Sequence, residues 1–354
     1  MTLKKKYFRN KLLYWNKMLN RREMPWKGEK DPYKIWLSEI ILQQTRVEQG
    51  WKYYTRFIEA FPTIQSLSKA PEIKLFKLWE GLGYYNRCKN LITTAKRIVK
   101  ERKGIFPDNY DDILSLNGIG PYTAAAISSF AFNRPYAVVD GNVLRVLARF
   151  FGIEEAIDGS KGKKLFTQLA SELLDIAEPS VYNQALMDFG AVVCKPKQPL
   201  CSSCPLSSNC TAHVKGSVHS LPVKAKKIRN KNRWFYYLMA NHNGKVYVRK
   251  RIKNDIWENL FEFILIEKPR AISIEKLMTE PGLTKLFRNC SIDIQAISAV
   301  HRQQLTHQTI RGRFIRVRIS NLPGNSGYQG VAIDQLGRLP FPNFINRYLA
   351  KNPL

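Results

Sequence analysis

The sequence predicts a multidomain chain, mainly α-helical in its first part and α+β in its last. Three observations predict it: apolar spacing close to the helical period over residues 31–189, a knot of cysteines just beyond, and strand-like alternation from residue 234 onward. At about 100 to 200 residues per domain, 354 residues allow two or three cores, and 44% hydrophobic residues can fill them, which excludes wholesale disorder. No stretch approaches the roughly 20 consecutive apolar residues of a membrane span. Residues 1–20 alternate Lys, Arg and Asn with apolar residues, so neither a membrane-spanning nor a secreted chain is expected.

The elements follow in order. In Asp31-Pro32-Tyr33-Lys34-Ile35-Trp36, Asp31 reads as an N-cap and Pro32 as the first helical residue. Further helices are expected over 73–79, 86–100, 121–130, 142–151 and 162–176, separated by Gly, Pro and Asp signals. Residues 215–233 read as a polar basic linker. Strands are expected over 234–241 and Lys245–Lys250 around an Asn243-Gly244 turn, another over 313–319, and a final helix over Asn343–Leu349. The expected domains are therefore 1–214 and 234–354, joined by 215–233. There is no convincing internal repeat.

Charge narrows the partner. Lys and Arg number 57 against 28 Asp and Glu, a formal net charge of +29. From Phe189 to Asn254 there are fourteen Lys and Arg and no acid, and the first thirty residues hold ten Lys or Arg and two Glu. A solvated face mixes signs, whereas a one-sign run of this length is the footprint of phosphate contacts and counterion release. Nucleic acid is the expected partner. Six Cys are too few for a disulfide scaffold, and four of them lie between Cys194 and Cys210, which argues for a metal in a reducing compartment and hence a cytoplasmic or nucleoid location.

Cys194, Cys201, Cys204 and Cys210 have the spacing C-x6-C-x2-C-x5-C. Structural zinc usually pairs two short knuckles, so one knuckle with single flanking cysteines favours a 4Fe-4S cluster. Its expected role is structural, pinning a basic loop that includes Lys195 and Lys197. Cys88 and Cys290 read as small buried hydrophobes. Leu116-Asn117-Gly118-Ile119-Gly120-Pro121-Tyr122 resembles a helix-hairpin-helix, in which Gly118 and Gly120 expose backbone N–H groups to a DNA phosphate; an ordinary tight turn is the competing reading. Glu39 stands among Ile35, Trp36, Ile40, Ile41 and Leu42, where desolvation would raise its pKa and let it act as a general acid, unless it is a satisfied half-buried Glu. Asp140 closes the apolar run Ala137-Val138-Val139 before a new helix. It reads as an N-cap that the helix N-terminus keeps ionised. One protonated and one charged carboxylate suit expulsion of a leaving group from a sugar through an oxocarbenium-like state.

Taken together, Trp36-Leu37-Ser38-Glu39-Ile40-Ile41-Leu42-Gln43-Gln44-Thr45, Gly81-Leu82-Gly83-Tyr84-Tyr85, the hairpin, Val139-Asp140-Gly141-Asn142-Val143, Asn183-Gln184-Ala185-Leu186-Met187-Asp188 and the four Cys resemble the MutY-type adenine DNA glycosylases. The resemblance covers residues 24–210 and continues into a Nudix-like C-terminal domain.

The resemblance implies a helix-hairpin-helix glycosylase fold with an iron-sulfur cluster loop, acting on double-stranded DNA and flipping out adenine opposite 8-oxoguanine or guanine. Glu39 matches the acid that protonates adenine N7 and later handles the water, and Asp140 the carboxylate that stabilises the sugar cation. Tyr122 and Asn142 match supporting residues, Gln44 and Tyr84 match positions that wedge beside the lesion, and Trp26 and Lys27 match a pocket segment. Endonuclease III relatives carry a Schiff-base Lys where this chain has Tyr122, which implies a monofunctional enzyme. The C-terminal part lacks the acidic Nudix box, so it should recognise rather than hydrolyse. Leu305-Thr306-His307 stands where the family commonly presents Phe-Ser-His to 8-oxoguanine, and a monomer suffices for all of this. The rival expectations are an endonuclease III-type lyase, a catalytically silent damage sensor and a redox carrier; Tyr122, the retained carboxylate pair and the hairpin argue against them in turn.

Overall fold

The computed structural model describes residues 2–225, 230–252, 255–288, 290–321 and 326–354. Twelve helices come first: α1 (Leu3–Met18), α2 (Pro32–Leu42), α3 (Val47–Ala60), α4 (Ile64–Lys69), α5 (Glu72–Trp79), α6 (Asn86–Arg102), α7 (Tyr110–Leu114), α8 (Pro121–Phe132), α9 (Gly141–Phe151), α10 (Ser160–Leu173), α11 (Pro179–Val192) and α12 (Thr211–Val214). Strands β1 (Lys231–His242), β2 (Lys245–Lys250) and β3 (Phe261–Lys268) follow. Next come α13 (Ile274–Met278), α14 (Pro281–Leu286), β4 (Ile292–Ile297), β5 (His301–Gln304), β6 (Gln308–Ile319), β7 (Gln329–Ala332) and α15 (Asn343–Leu349). Among the described residues no helix is long and apolar enough to cross a membrane.

Two compact units result, Met1–Lys69 with Lys89–Lys226, and Ala70–Cys88 with Lys227–Leu354. The segment Ala70–Cys88, which sequence places within the helical domain, groups with the second unit.

In the helical unit, local chemistry sets the helix starts. Asp31 accepts the Tyr33 amide and Pro32 opens α2; Asn109 caps α7 through the Asp111 and Asp112 amides. Helix α1, unrecognised in the sequence because Lys and Arg interrupt its apolar positions, buries Phe8, Leu12 and Trp15. These residues join a core with Phe150, Phe166 and Phe189, in which Trp15 meets Phe189 edge-on at 5.0 Å. Val218 and Leu221 belong to the same core, and β1 starts at Lys231, so both ends of the expected linker are structured. Of that linker, residues 226–229 lie outside the described residues, as do 253–254 of the acid-free run.

The second unit is a mixed seven-stranded sheet in the order β4-β6-β1-β3-β2-β7, with β5 also paired to β6. Its long central pair, β1 and β6, is parallel, from Lys231 opposite Gln308 to Asn241 opposite Arg318. One face packs Tyr236, Leu238, Ile264 and Ile315 against Leu277 and Leu283 of α13 and α14. The other stacks aromatics, with Phe314 on Tyr348 at 4.0 Å and on Tyr237 at 5.5 Å, under α15.

Gly312 makes the parallel pairing possible, since a Cβ there would lie 2.2 Å from the Phe235 carbonyl oxygen. Gly312→Ala is therefore expected to destabilise the second unit by about 2 kcal/mol, with urea unfolding as the measurement; a midpoint equal to wild type would contradict the close approach.

Candidate active site in the helical unit

Helix α2 presents Glu39 inward, 5% exposed, among buried Ile35, Trp36, Ile40 and Ile41. From the first turn of α8 the Tyr122 hydroxyl donates to Glu39 Oε2 at 2.7 Å. That leaves Oε1 as the oxygen that can carry a proton. Burial pushes the Glu39 carboxyl up to about 7; the Tyr122 hydrogen bond opposes this and the charge of Asp140 adds to it.

Asp140 caps α9. Its Oδ1 accepts the amides of Asn142 at 2.9 Å and Val143 at 2.8 Å, and its Oδ2 accepts Asn142 Nδ2 at 2.6 Å. Burial is the largest influence and raises its pKa, against the pull of those three donors and of Arg145. Glu39 accepts only from one neutral hydroxyl, whereas Asp140 accepts three hydrogen bonds and faces a cation. The geometry thus favours the proton on Glu39 and the charge on Asp140.

Glu39, Tyr122, Asp140 and Asn142 line one cavity of about 360 Å³ together with Trp26 and Lys27, joining six of the sequence candidates. Arg22 and Gln184, which sequence reasoning missed, share its wall. Both are held by Asp188, whose side chain is fully buried. It accepts Arg22 Nη1 at 2.8 Å and Gln184 Nε2 at 2.9 Å on one oxygen, and Asn20 Nδ2 at 2.9 Å and Lys27 Nζ at 3.1 Å on the other. The available signal was a single acid, four residues after Gln184, in an otherwise apolar helix.

Other candidates lie elsewhere. Gly118, at φ +77°, faces Asn90, where a Cβ would meet the Asn90 Cβ at 2.6 Å, and Gly120 caps α8. The Thr94 hydroxyl donates to the Asn117 carbonyl at 3.0 Å and fixes the hairpin. Gln44 and Tyr84 are two of the few non-glycine residues in left-handed backbone, at φ 56° and 49°, a conformation held at some cost. In the second unit the Tyr84 hydroxyl is hydrogen-bonded to Thr306 Oγ1, and His307 offers its carbonyl to the Lys231 amide at 3.0 Å.

The four cysteines surround a separate cavity with Arg149 and His213. Among the described residues no three His, Cys, Asp or Glu side chains are gathered as for a single metal ion. The four thiols instead line the space between them. Burial and mutual repulsion raise Cys204 to about 12, so a thiolate there calls for a positive centre. Arg149, 3% exposed, ties the loop down through the carbonyls of Leu221, Lys195 and Pro196 at 3.0, 2.8 and 3.1 Å. Arg145 links Cys194 O at 2.7 Å to Asn142 Oδ1 at 2.8 Å, so the loop and the catalytic candidates share one helix.

A family model described as HhH-GPD superfamily base excision DNA repair protein matches residues 37–173, and a NUDIX domain model matches 235–351. The adenine DNA glycosylase of Buchnera aphidicola subsp. Baizongia pistaciae (strain Bp) is 38% identical over 259 residues, covering 72% of this chain and 73% of its own. That of Arabidopsis thaliana is 36% identical over 348 residues, 86% of this chain and 54% of its own. The solved structure of a thermostable thymine-DNA glycosylase superposes with a TM-score of 0.56 at 32% identity, over 60% of this chain and 97% of its own.

Because the Glu39 pKa is raised on folding, its contribution to stability is complete below the ordinary value of 4.5 and is lost as pH climbs through about 7. Glu39→Gln removes that loss. The variant should gain on wild type between pH 5 and pH 8 by an amount on the order of 3 kcal/mol, measured by denaturant unfolding at the two pH values; a pH-independent difference would contradict the buried, protonated acid.

Proposed function

Since the chain belongs to the adenine DNA glycosylases of the helix-hairpin-helix superfamily, we propose that its substrate is adenine mispaired with 8-oxoguanine, or with guanine, in double-stranded DNA. It is a DNA glycosylase that removes adenine in base excision repair by hydrolysing an N-glycosyl bond. The observation that supports the excision chemistry is the buried Glu39, hydrogen-bonded by Tyr122 and lining one cavity with the capped Asp140.

The proposed chemistry follows from that pairing. The adenine leaves the stack and enters the cavity beside Trp26, Lys27, Arg22 and Gln184. Glu39, protonated near neutrality, gives its proton to N7, which makes the base a better leaving group. Charge develops on the sugar as the bond breaks, and the Asp140 carboxylate, fixed by Asn142, lies ready to stabilise it. Glu39, now ionised, takes the proton of the attacking water. Tyr122 offers no amine for a Schiff base, so the product is an abasic site on an intact strand.

The remaining assignments are supporting roles. Cys194, Cys201, Cys204 and Cys210 would hold a 4Fe-4S cluster, which would supply a rigid anchor for the loop bearing Lys195 and Lys197. Gly118 and Gly120 bind a phosphate through backbone amides. Gln44 and Tyr84 wedge beside the lesion, and Thr306 with His307 reads 8-oxoguanine. The protein acts as a monomer in the cytoplasm, on the nucleoid.

In single-turnover assays on duplexes with adenine opposite 8-oxoguanine, guanine or thymine, strand breaks should appear only after alkali and fastest opposite 8-oxoguanine. Glu39→Gln should lose at least about a hundredfold in rate while keeping mispair binding. Breaks without alkali would point to a lyase, and tight binding without excision to a silent sensor. Thr306→Ala should narrow the preference for 8-oxoguanine over guanine; an unchanged ratio would remove Thr306 from recognition.

A further inference from the structure

The hairpin of β5 and β6 carries a feature that the excision chemistry does not use. Arg302 stands directly opposite Arg311, Arg311 opposite Trp234 of β1, and Trp234 opposite Lys268 of β3. Register partners point to one face of a sheet with Cβ atoms about 5 Å apart, where like charges repel. Both arginines are exposed, and the Arg311 guanidinium lies over the Trp234 ring, 6.0 Å from its centroid.

Acids neutralise the neighbours and leave this pair alone. Lys268, at the end of the row, is bridged to Glu280 at 2.5 Å. On the opposite face Arg233 is saturated by Asp255 at 2.7 Å, Glu267 at 2.6 Å and Gln308 at 3.0 Å. Among the described residues no carboxylate forms an ion pair with Arg302 or Arg311. Two exposed arginines on cross-strand neighbours, one with its guanidinium over an indole, offer a paired site for an anion with several acceptor oxygens. Only two residue pairs, Gln303 with Ile310 and Gln304 with Thr309, separate them from the Leu305-Thr306-His307 turn.

We propose that Arg302 and Arg311 form a phosphate clamp that grips the backbone of duplex DNA beside that turn. This rests on the reading of the chain as an enzyme of duplex DNA. It adds a contact that is blind to sequence and lesion, and whose cost is the repulsion stored in the free protein.

The test compares wild type, R302Q/R311Q and R311E, all as full-length protein, by affinity for an undamaged duplex between about 50 and 200 mM salt. Loss of two phosphate contacts should lower the slope of log Kd against log salt by about 2 in R302Q/R311Q. At the low-salt end its binding should be about tenfold weaker or more. Thermal stability should not fall, and R311E, which places a carboxylate against Arg302, should melt higher than wild type while binding weakly. Excision at saturating enzyme should be unchanged. A wild-type slope in both variants overturns the clamp. So does a lower melting temperature in both, which would assign the arginines to the fold. The slope is read on undamaged DNA, so an enzyme without preference for 8-oxoguanine would refute the proposed substrate and leave the clamp result standing.

Discussion

A carboxylic acid stripped of water keeps its proton as long as nothing nearby stabilises its charge, and the helical unit is arranged around that condition at Glu39. The groups facing it are a neutral hydroxyl and another carboxylate. Apolar neighbours on α2 remove solvent, and Tyr122 reaches it from the first turn of α8. The opposite arrangement surrounds Asp140, where amides, an amide side chain and a guanidinium converge. Two acids of similar intrinsic strength are thereby given different tasks by environment alone.

Helix α9 links this division of labour to the cysteine loop. Its first turn caps on Asp140, its second carries Arg145, and its third carries Arg149, so one rigid rod holds the carboxylate at one end and clamps the loop along its flank. The guanidiniums are buried with nearly every bond directed to a carbonyl, an arrangement that fixes backbone position rather than charge. Misplacing the loop would shift Asn142, and with it the donor to Asp140.

Much of this was legible in the sequence where local rules govern. Asp31-Pro32 and Asp140 announce their helices by capping, and Gly118-Ile119-Gly120 announces a turn. Glu39 is conspicuous as a lone acid in an apolar segment. What stayed hidden depends on partners distant in sequence. Asp188 gains its importance from Asn20, Arg22 and Lys27, more than 150 residues away. Helix α1 hides its apolar face among lysines, and β3, β4, β5 and β7 are defined by pairing rather than by alternation. The desolvation of Asp140 was hidden too, because a cap residue is ordinarily exposed.

The composition of the second unit also has a bearing on biosynthesis. Ala70–Cys88 belongs to the same compact unit as Lys227–Leu354, yet the ribosome completes it some 140 residues earlier. At about 5 to 20 residues per second, that interval lasts roughly 7 to 30 s. Throughout it Lys77 and Glu80 wait for the Leu339 carbonyl and the Phe341 amide that they bond in the finished unit. A chain released before the interval ends would carry Ala70–Cys88 without the rest of the unit it groups with.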